Sequence, residues 1–177
     1  MLPKSLLPIN RVFLNRIFYK IKSIIYRKYQ RNVAGIVALD QLGRVLLIKD
    51  TLNRWKIPSG GIEKNEGSLD AAKREFLEET GYRISKISGI LSITEFTKKS
   101  KDYYSFIYVG KVDTKVKPNR DMMTEDEVLE IKSFTKKQVA NMQVPSVRSE
   151  LIKKIILSSF DYKSQNYPLI FHRHPQN

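Results

Sequence analysis

The chain has 177 residues, 41% of them hydrophobic and 28% charged, which suits one ordinary domain with appendages. It contains no cysteine, which excludes disulfides, thiolate zinc sites and cysteine nucleophiles, and no run approaches the ~20 apolar residues of a membrane span. The formal net charge of +14 is uneven, because no acidic residue precedes Asp40 while Lys4, Arg11, Arg16, Lys20, Lys22, Arg27, Lys28 and Arg31 all do. Such an excess attracts polyanions, but charge alone describes association and not activity.

Within residues 1–31, Leu6, Ile9, Phe13, Ile17, Ile21, Ile24 and Ile25 recur at spacings of three and four. That period predicts a basic amphipathic helix starting near Pro8. Arg16, Lys20 and Lys22 interrupt the apolar core a signal peptide needs, so a cytoplasmic protein is expected. Val33 to Leu39 and Arg44 to Lys49 read as two strands around the turn Asp40-Gln41-Leu42-Gly43. Trp55 to Pro58 is expected to be extended, since the residue before proline avoids the helical region, and Ser59-Gly60-Gly61 to be a loop with unusual backbone angles. Ser68 is a natural cap for a helix from Leu69 to Thr80, with Gly81 as its left-handed exit. Strands are predicted over 82–96 and 103–113, then a polar loop to Asp126, a strand to Phe134, a short helix over Lys136–Asn141 and a helix over Ser146–Phe160. Residues from Asp161 read as a loosely held tail.

The chemistry concentrates on the helix after Ser68. Glu75, Glu78 and Glu79 stand at i, i+3 and i+4, within about 100° of arc on one face. Like charges so placed destabilise a helix, unless the face is simply solvated or a cation sits among them. Carboxylate and carbonyl oxygens are hard donors that select Mg²⁺, Ca²⁺ or Mn²⁺ over zinc or copper. Mg²⁺ on a few carboxylates commonly completes its shell with water and substrate phosphate, which suggests phosphoryl chemistry.

Gly60, Glu66, Arg74, Glu75, Phe76, Glu78, Glu79, Gly81 and Tyr82 resemble the Nudix box, with every fixed position filled at the right spacing over residues 60–82. Aromatics stand at Phe76 and Tyr82, where aliphatics are more usual. The resemblance implies an α/β fold, a Nudix-like α/β/α sandwich around a mixed β-sheet; with the N-terminal helix read above over 1–31, the Nudix domain is expected over 32–160 and a tail over 161–177. It implies that Glu75, Glu78 and Glu79 hold Mg²⁺ (or Mn²⁺), joined by the carbonyl of Ser59, where many relatives have glycine. It implies that Glu66 pairs with Arg74 to brace the helix. The general base is then Glu79 or Glu78, or a carboxylate on a later loop, where Glu127 matches better than Glu125. The implied activity is hydrolysis of a pyrophosphate linkage in a nucleoside-diphosphate-like small molecule. The rivals are pyrophosphate removal from RNA 5′ ends and a non-catalytic nucleotide-binding regulatory module.

Other residues carry weaker signals. Trp55 suits base stacking or core packing, and Tyr103, Tyr104, Phe106 and Tyr108 suit core, surface or base contact. His172 and His174 have a metal-site spacing but no partners in sequence. The N-terminal helix is expected to pack on its own domain or a homodimer partner, with a membrane surface or RNA as alternatives.

Overall fold

The computed structural model describes residues 32–98, 101–123, 128–142, 147–163 and 168–173; the expected helix over 1–31, Glu125, Glu127 and His174 lie outside them. The chain divides into two compact units, Met1–Arg31 and Asn32–Asn177, and the architecture below belongs to the second.

Its strands are β1 (Val33–Leu39), β2 (Val45–Asp50), β3 (Trp55–Lys56), β4 (Ser59–Gly61), β5 (Ile84–Lys98), β6 (Lys101–Val112), β7 (Val128–Phe134) and β8 (Leu169–Arg173). They form one mixed sheet in the order β3-β2-β1-β6-β5-β8, with β4 added to β1 and β7 to β2. β1 runs parallel to β6 and β5 parallel to β8, whereas the other pairings are antiparallel. The helices are α1 (Ser68–Thr80), α2 (Lys136–Asn141) and α3 (Val147–Ser159).

Alternation along β1 divides the core into two layers. Ala34, Ile36 and Ala38 face Ala71, Ala72 and Phe76 of α1. Val37, with Val45, Leu47, Ile107 and Val109, packs on the other face against Val139, Ile155 and Ile156 of α2 and α3. The small side chains of β1 let α1 approach the sheet closely, which brings its acidic face to β3 and β4.

Two turns at opposite ends of β2 share one construction. Asp40 accepts hydrogen bonds from the backbone N–H of Leu42 and Arg44 and from the Arg44 side chain, each at 2.9 Å. Asp50 accepts from Leu52, Arg54 and the Arg54 side chain in the same pattern. Gly43 at φ 69° and Asn53 at φ 65° supply the left-handed residue each turn requires. The sequences Asp-Gln-Leu-Gly-Arg and Asp-Thr-Leu-Asn-Arg are thus two copies of one turn.

Three local expectations are corrected. Ser59-Gly60-Gly61 is not an irregular loop: it is β4, paired with Gly35, Ala34 and Val33, and none of its residues has a positive φ. Gly67 rather than Ser68 caps α1, without a side-chain hydrogen bond, and Ser68 Oγ instead meets Tyr108 Oη at 2.7 Å. Beyond Asp161 the chain adds β8 to the edge of the sheet. Gly81 ends α1 at φ 69°, as its position predicts, its N–H donating to the Leu77 carbonyl. Thr135 and Gln138 form a capping box on α2.

Candidate active site

The face of α1 that carries Glu75, Glu78 and Glu79 looks onto β3 and β4, and each carboxylate meets a cation. Glu79 is 3% exposed; its Oε1 accepts from Lys56 Nζ at 2.7 Å and its Oε2 from the Ser59 N–H at 2.7 Å. Burial pushes the Glu79 carboxyl up to about 7, against the pull of Lys56 and the Ser59 N–H. Glu75 Oε1 and Glu78 Oε2 converge on one nitrogen, Arg74 Nη1, at 2.8 and 3.2 Å.

Arg74 holds the loop to the helix. Its Nε and Nη2 donate to Glu66 Oε1 and Oε2 at 2.8 and 2.9 Å, and Nη2 also reaches the Gly61 carbonyl at 3.0 Å. The guanidinium beside Glu66 keeps that carboxyl below its ordinary range. Glu66 in turn accepts from the Glu63 N–H at 3.0 Å, closing the loop ahead of the helix.

Gly60 is explained by space. A Cβ built there would lie 2.2 Å from the Glu75 carboxylate, so only glycine lets β4 pass that side chain in this position. Ser59 takes an ordinary backbone conformation, so replacing glycine with serine imposes no strain on its carbonyl. Among the described residues no three acidic or imidazole side chains converge as a ready metal cage. Arg74 and Lys56 instead supply the positive charge that the three carboxylates require.

Of the residues singled out from sequence, Ser59, Glu66, Arg74, Glu75, Glu78 and Glu79 come together, while Glu127 lies outside the described residues. Lys56 was not anticipated. Its partner is 23 positions away, and no local spacing links a strand lysine to a helix carboxylate. Trp55 packs edge-on against Phe134 with ring centroids 4.7 Å apart, and Lys49 Nζ sits 4.7 Å from its centroid. Tyr104 Oη donates to Glu95 at 3.2 Å, and its ring lies 6.2 Å from Phe106. His172 is on β8.

Known proteins resemble this chain in sequence and in fold. Over 77 residues the chain is 38% identical to an RNA pyrophosphohydrolase from Bartonella tribocorum, a match covering 38% of this chain and 42% of that protein. A second match, 40% identical over 73 residues, is to nucleoside diphosphate-linked moiety X motif 6 from Xenopus laevis, covering 40% of this chain and 33% of that one. The chain thus matches less than half the length of these curated relatives. A crystal structure of a Nudix hydrolase from Nitrosomonas europaea superposes with a TM-score of 0.61 at 20% identity, covering 83% of this chain and 81% of that one. A Caenorhabditis elegans Ap4A hydrolase complex gives 0.53 at 17% identity, covering 74% and 100%. These structural likenesses show the fold. The Nudix hydrolases as a group generally use divalent metals. The profile of the NUDIX domain matches residues 28–155, which spans β1 to α3 and the whole carboxylate site, and the chain belongs to the Nudix family.

Proposed function

We propose that the chain is a hydrolase that adds water across a pyrophosphate linkage in a nucleoside-diphosphate-like substrate, releasing a nucleoside monophosphate or phosphate product. The observation that carries this reading is the arrangement of Glu75, Glu78 and Glu79, three carboxylates on one helix face, each against a cationic nitrogen. A binding module has no need of so much concentrated negative charge opposite an anionic ligand.

The donor chemistry fits a hard divalent cation, Mg²⁺ or Mn²⁺. Glu75, Glu78 and Glu79 would hold it, with the carbonyl of Ser59. When bound, such an ion neutralises phosphate oxygens, activates water and stabilises the leaving phosphate. The protein's own contribution is orientation. Arg74 is a positioning residue: it ties Glu66 and Gly61 to the helix and fixes where Glu75 and Glu78 point. Lys56 and the Ser59 N–H fix Glu79, whose two oxygens are both engaged. Glu78, 36% exposed, is the carboxylate of the three that solvent reaches most, and it can accept a proton from water; Glu79 and Glu127 are the other carboxylates proposed for that role.

A second reading is removal of pyrophosphate from RNA 5′ ends. The Bartonella tribocorum relative bears that name, and the +14 net charge favours a polyanionic substrate. We read the acid-free residues 1–31 as an accessory surface for a second copy, an anionic membrane or RNA, in a cytoplasmic protein. A panel of nucleoside diphosphate derivatives, dinucleoside polyphosphates and 5′-triphosphorylated RNA, incubated with Mg²⁺ or Mn²⁺ and scored for phosphate or monophosphate release, tests the reading. Release from at least one substrate, abolished by chelation, is expected. Tight nucleotide binding without hydrolysis of any substrate would replace it with the regulatory-module reading.

A further inference from the structure

We propose that the groove between β7 and the loop over residues 113–123 binds the body of a single-stranded RNA whose 5′ end reaches the α1 carboxylates. This rests on the RNA reading above and extends it to residues outside the box. The groove has a volume of about 820 Å³; Leu46, Tyr82 and Ile131 give it an apolar lining, and Arg44 and Arg120 make it cationic.

Strand register places the groove next to the site. Ile48 of β2 pairs with Lys56 on one side and with Ile131 on the other. Residues directly opposite one another in antiparallel strands project to the same face. Ile131 therefore shares the face of Lys56, whose ammonium holds Glu79. Two strand spacings separate them by about 10 Å, a distance the first nucleotides of a chain can span when its 5′ end is at the carboxylates.

The opposite wall is built on the end of the box helix. The Asn119 N–H donates to the Gly81 carbonyl at 2.8 Å. A Cβ at Gly81 would lie 2.8 Å from the Asn119 carbonyl oxygen, so the loop seats directly on this glycine, and Tyr82 follows at the groove. A chain lying in the groove is thus guided by the same helix that carries the carboxylates.

Charge selects the occupant. Arg120 makes no ion pair among the described residues, whereas Lys132, one position beyond Ile131, projects to the opposite face of the sheet, with its Nζ 5.6 Å from the Phe134 ring. Arg44 pairs with Asp40 yet leaves 38% of its side chain exposed. Glu130 also lines the groove, but its carboxylate is held by Lys49 Nζ at 2.7 Å. A neutral peptide along β7 would use the apolar lining and leave the cations without counter-charge. A polynucleotide satisfies both, with phosphates on the cations and a base against the Tyr82 ring.

The test is binding of a 5′-triphosphorylated RNA of about ten nucleotides to the full chain in EDTA, with 4-thiouridine at one of the first four positions. Crosslinks to Tyr82, Met123 or the Val128–Ser133 strand are expected. Arg120→Glu should weaken binding at least about fivefold and lower the salt slope by about 0.7 for each phosphate left without its cation. Lys137→Glu, a charge change on exposed α2, should do neither. Crosslinking in the groove without Mg²⁺-dependent hydrolysis would support this site while removing the hydrolase reading. Parental affinity in Arg120→Glu overturns the proposal, as do crosslinks confined to residues outside the groove, residues 1–31 included. So does a protein strand that binds along β7 in place of the RNA.

Discussion

Lys56 Nζ and Glu79 Oε1 lie 2.7 Å apart, joining a two-residue strand to the last turn of the box helix at a carboxylate that is 3% exposed. Removing one member of a buried pair leaves the other uncompensated. Lys56→Met is therefore expected to cost about 2–3 kcal/mol in EDTA, the low side of the usual range because Lys56 is partly exposed and the Ser59 N–H still holds Glu79. Added Mg²⁺ should recover part of that loss by replacing the missing cation. Melting curves with and without Mg²⁺ check this, and an equal loss in both conditions would contradict it.

Gly60→Ala separates folding from function. The added Cβ meets only the far end of Glu75, which can swing away, so the fold should lose no more than about 1 kcal/mol. Swinging away takes Glu75 off Arg74 and out of the carboxylate set, so turnover should fall at least about tenfold. A variant that melts and turns over like the parent would show that the Glu75 position does not matter.

Arg74→Ala should cost about 3 kcal/mol and raise the Mg²⁺ concentration needed for half-maximal turnover, since Glu66, Glu75 and Glu78 are each deprived of a partner. Arg74→Lys should recover little, because a point charge cannot span both oxygens of Glu66 and the Gly61 carbonyl. Melting and metal titration measured on both variants decide it; an unchanged parental profile in either measurement for Arg74→Ala would refute the bracing role.

The twin turns predict the acid limb of stability. Burial raises the Asp50 carboxyl, but the Arg54 side chain and N–H and the Leu52 N–H outweigh it, so the folded value lies below the ordinary 3.8. A depressed carboxyl contributes stability that is present above the unfolded value and lost as pH falls through the folded one. Asp50→Asn should thus lower the melting temperature at neutral pH and flatten its decline below about pH 4. A variant whose melting temperature declines as steeply as the parent's between about pH 4 and 2 would exclude Asp50 as a contributor.

Sequence carried the site further than the fold around it. The i, i+3, i+4 spacing of Glu75, Glu78 and Glu79 is a property of one helix, and the Arg74–Glu66 contact spans eight residues, so both are written locally. The strand over Val33 to Leu39 and the Gly81 exit were legible for the same reason. Lys56 was not, because strand-to-helix contacts depend on how α1 settles on the small residues of β1. Ser59-Gly60-Gly61 misled because glycine signals conformational freedom and spatial need alike; here Gly60 serves the second, beside Glu75. β8 was missed because its pairing with β5 is purely tertiary, and five residues near the end of the chain offer little periodicity. The Asp-x-Leu-x-Arg repeat in the two β2 turns was missed, because its meaning emerges only when both aspartates accept from their arginines.

The central claim is that the box carboxylates run a metal-dependent hydrolysis, and Glu79→Gln tests it most directly. Glutamine can still accept the Ser59 N–H, so the variant should fold with a cooperative melt like that of the parent. Turnover should then be measured in Mg²⁺ on whichever pyrophosphate substrate the parent cleaves, at saturating concentration. A drop in kcat of at least ~10² with the fold retained is the predicted result. Turnover within a factor of about two of the parent, in a folded Glu79→Gln protein, would contradict the account.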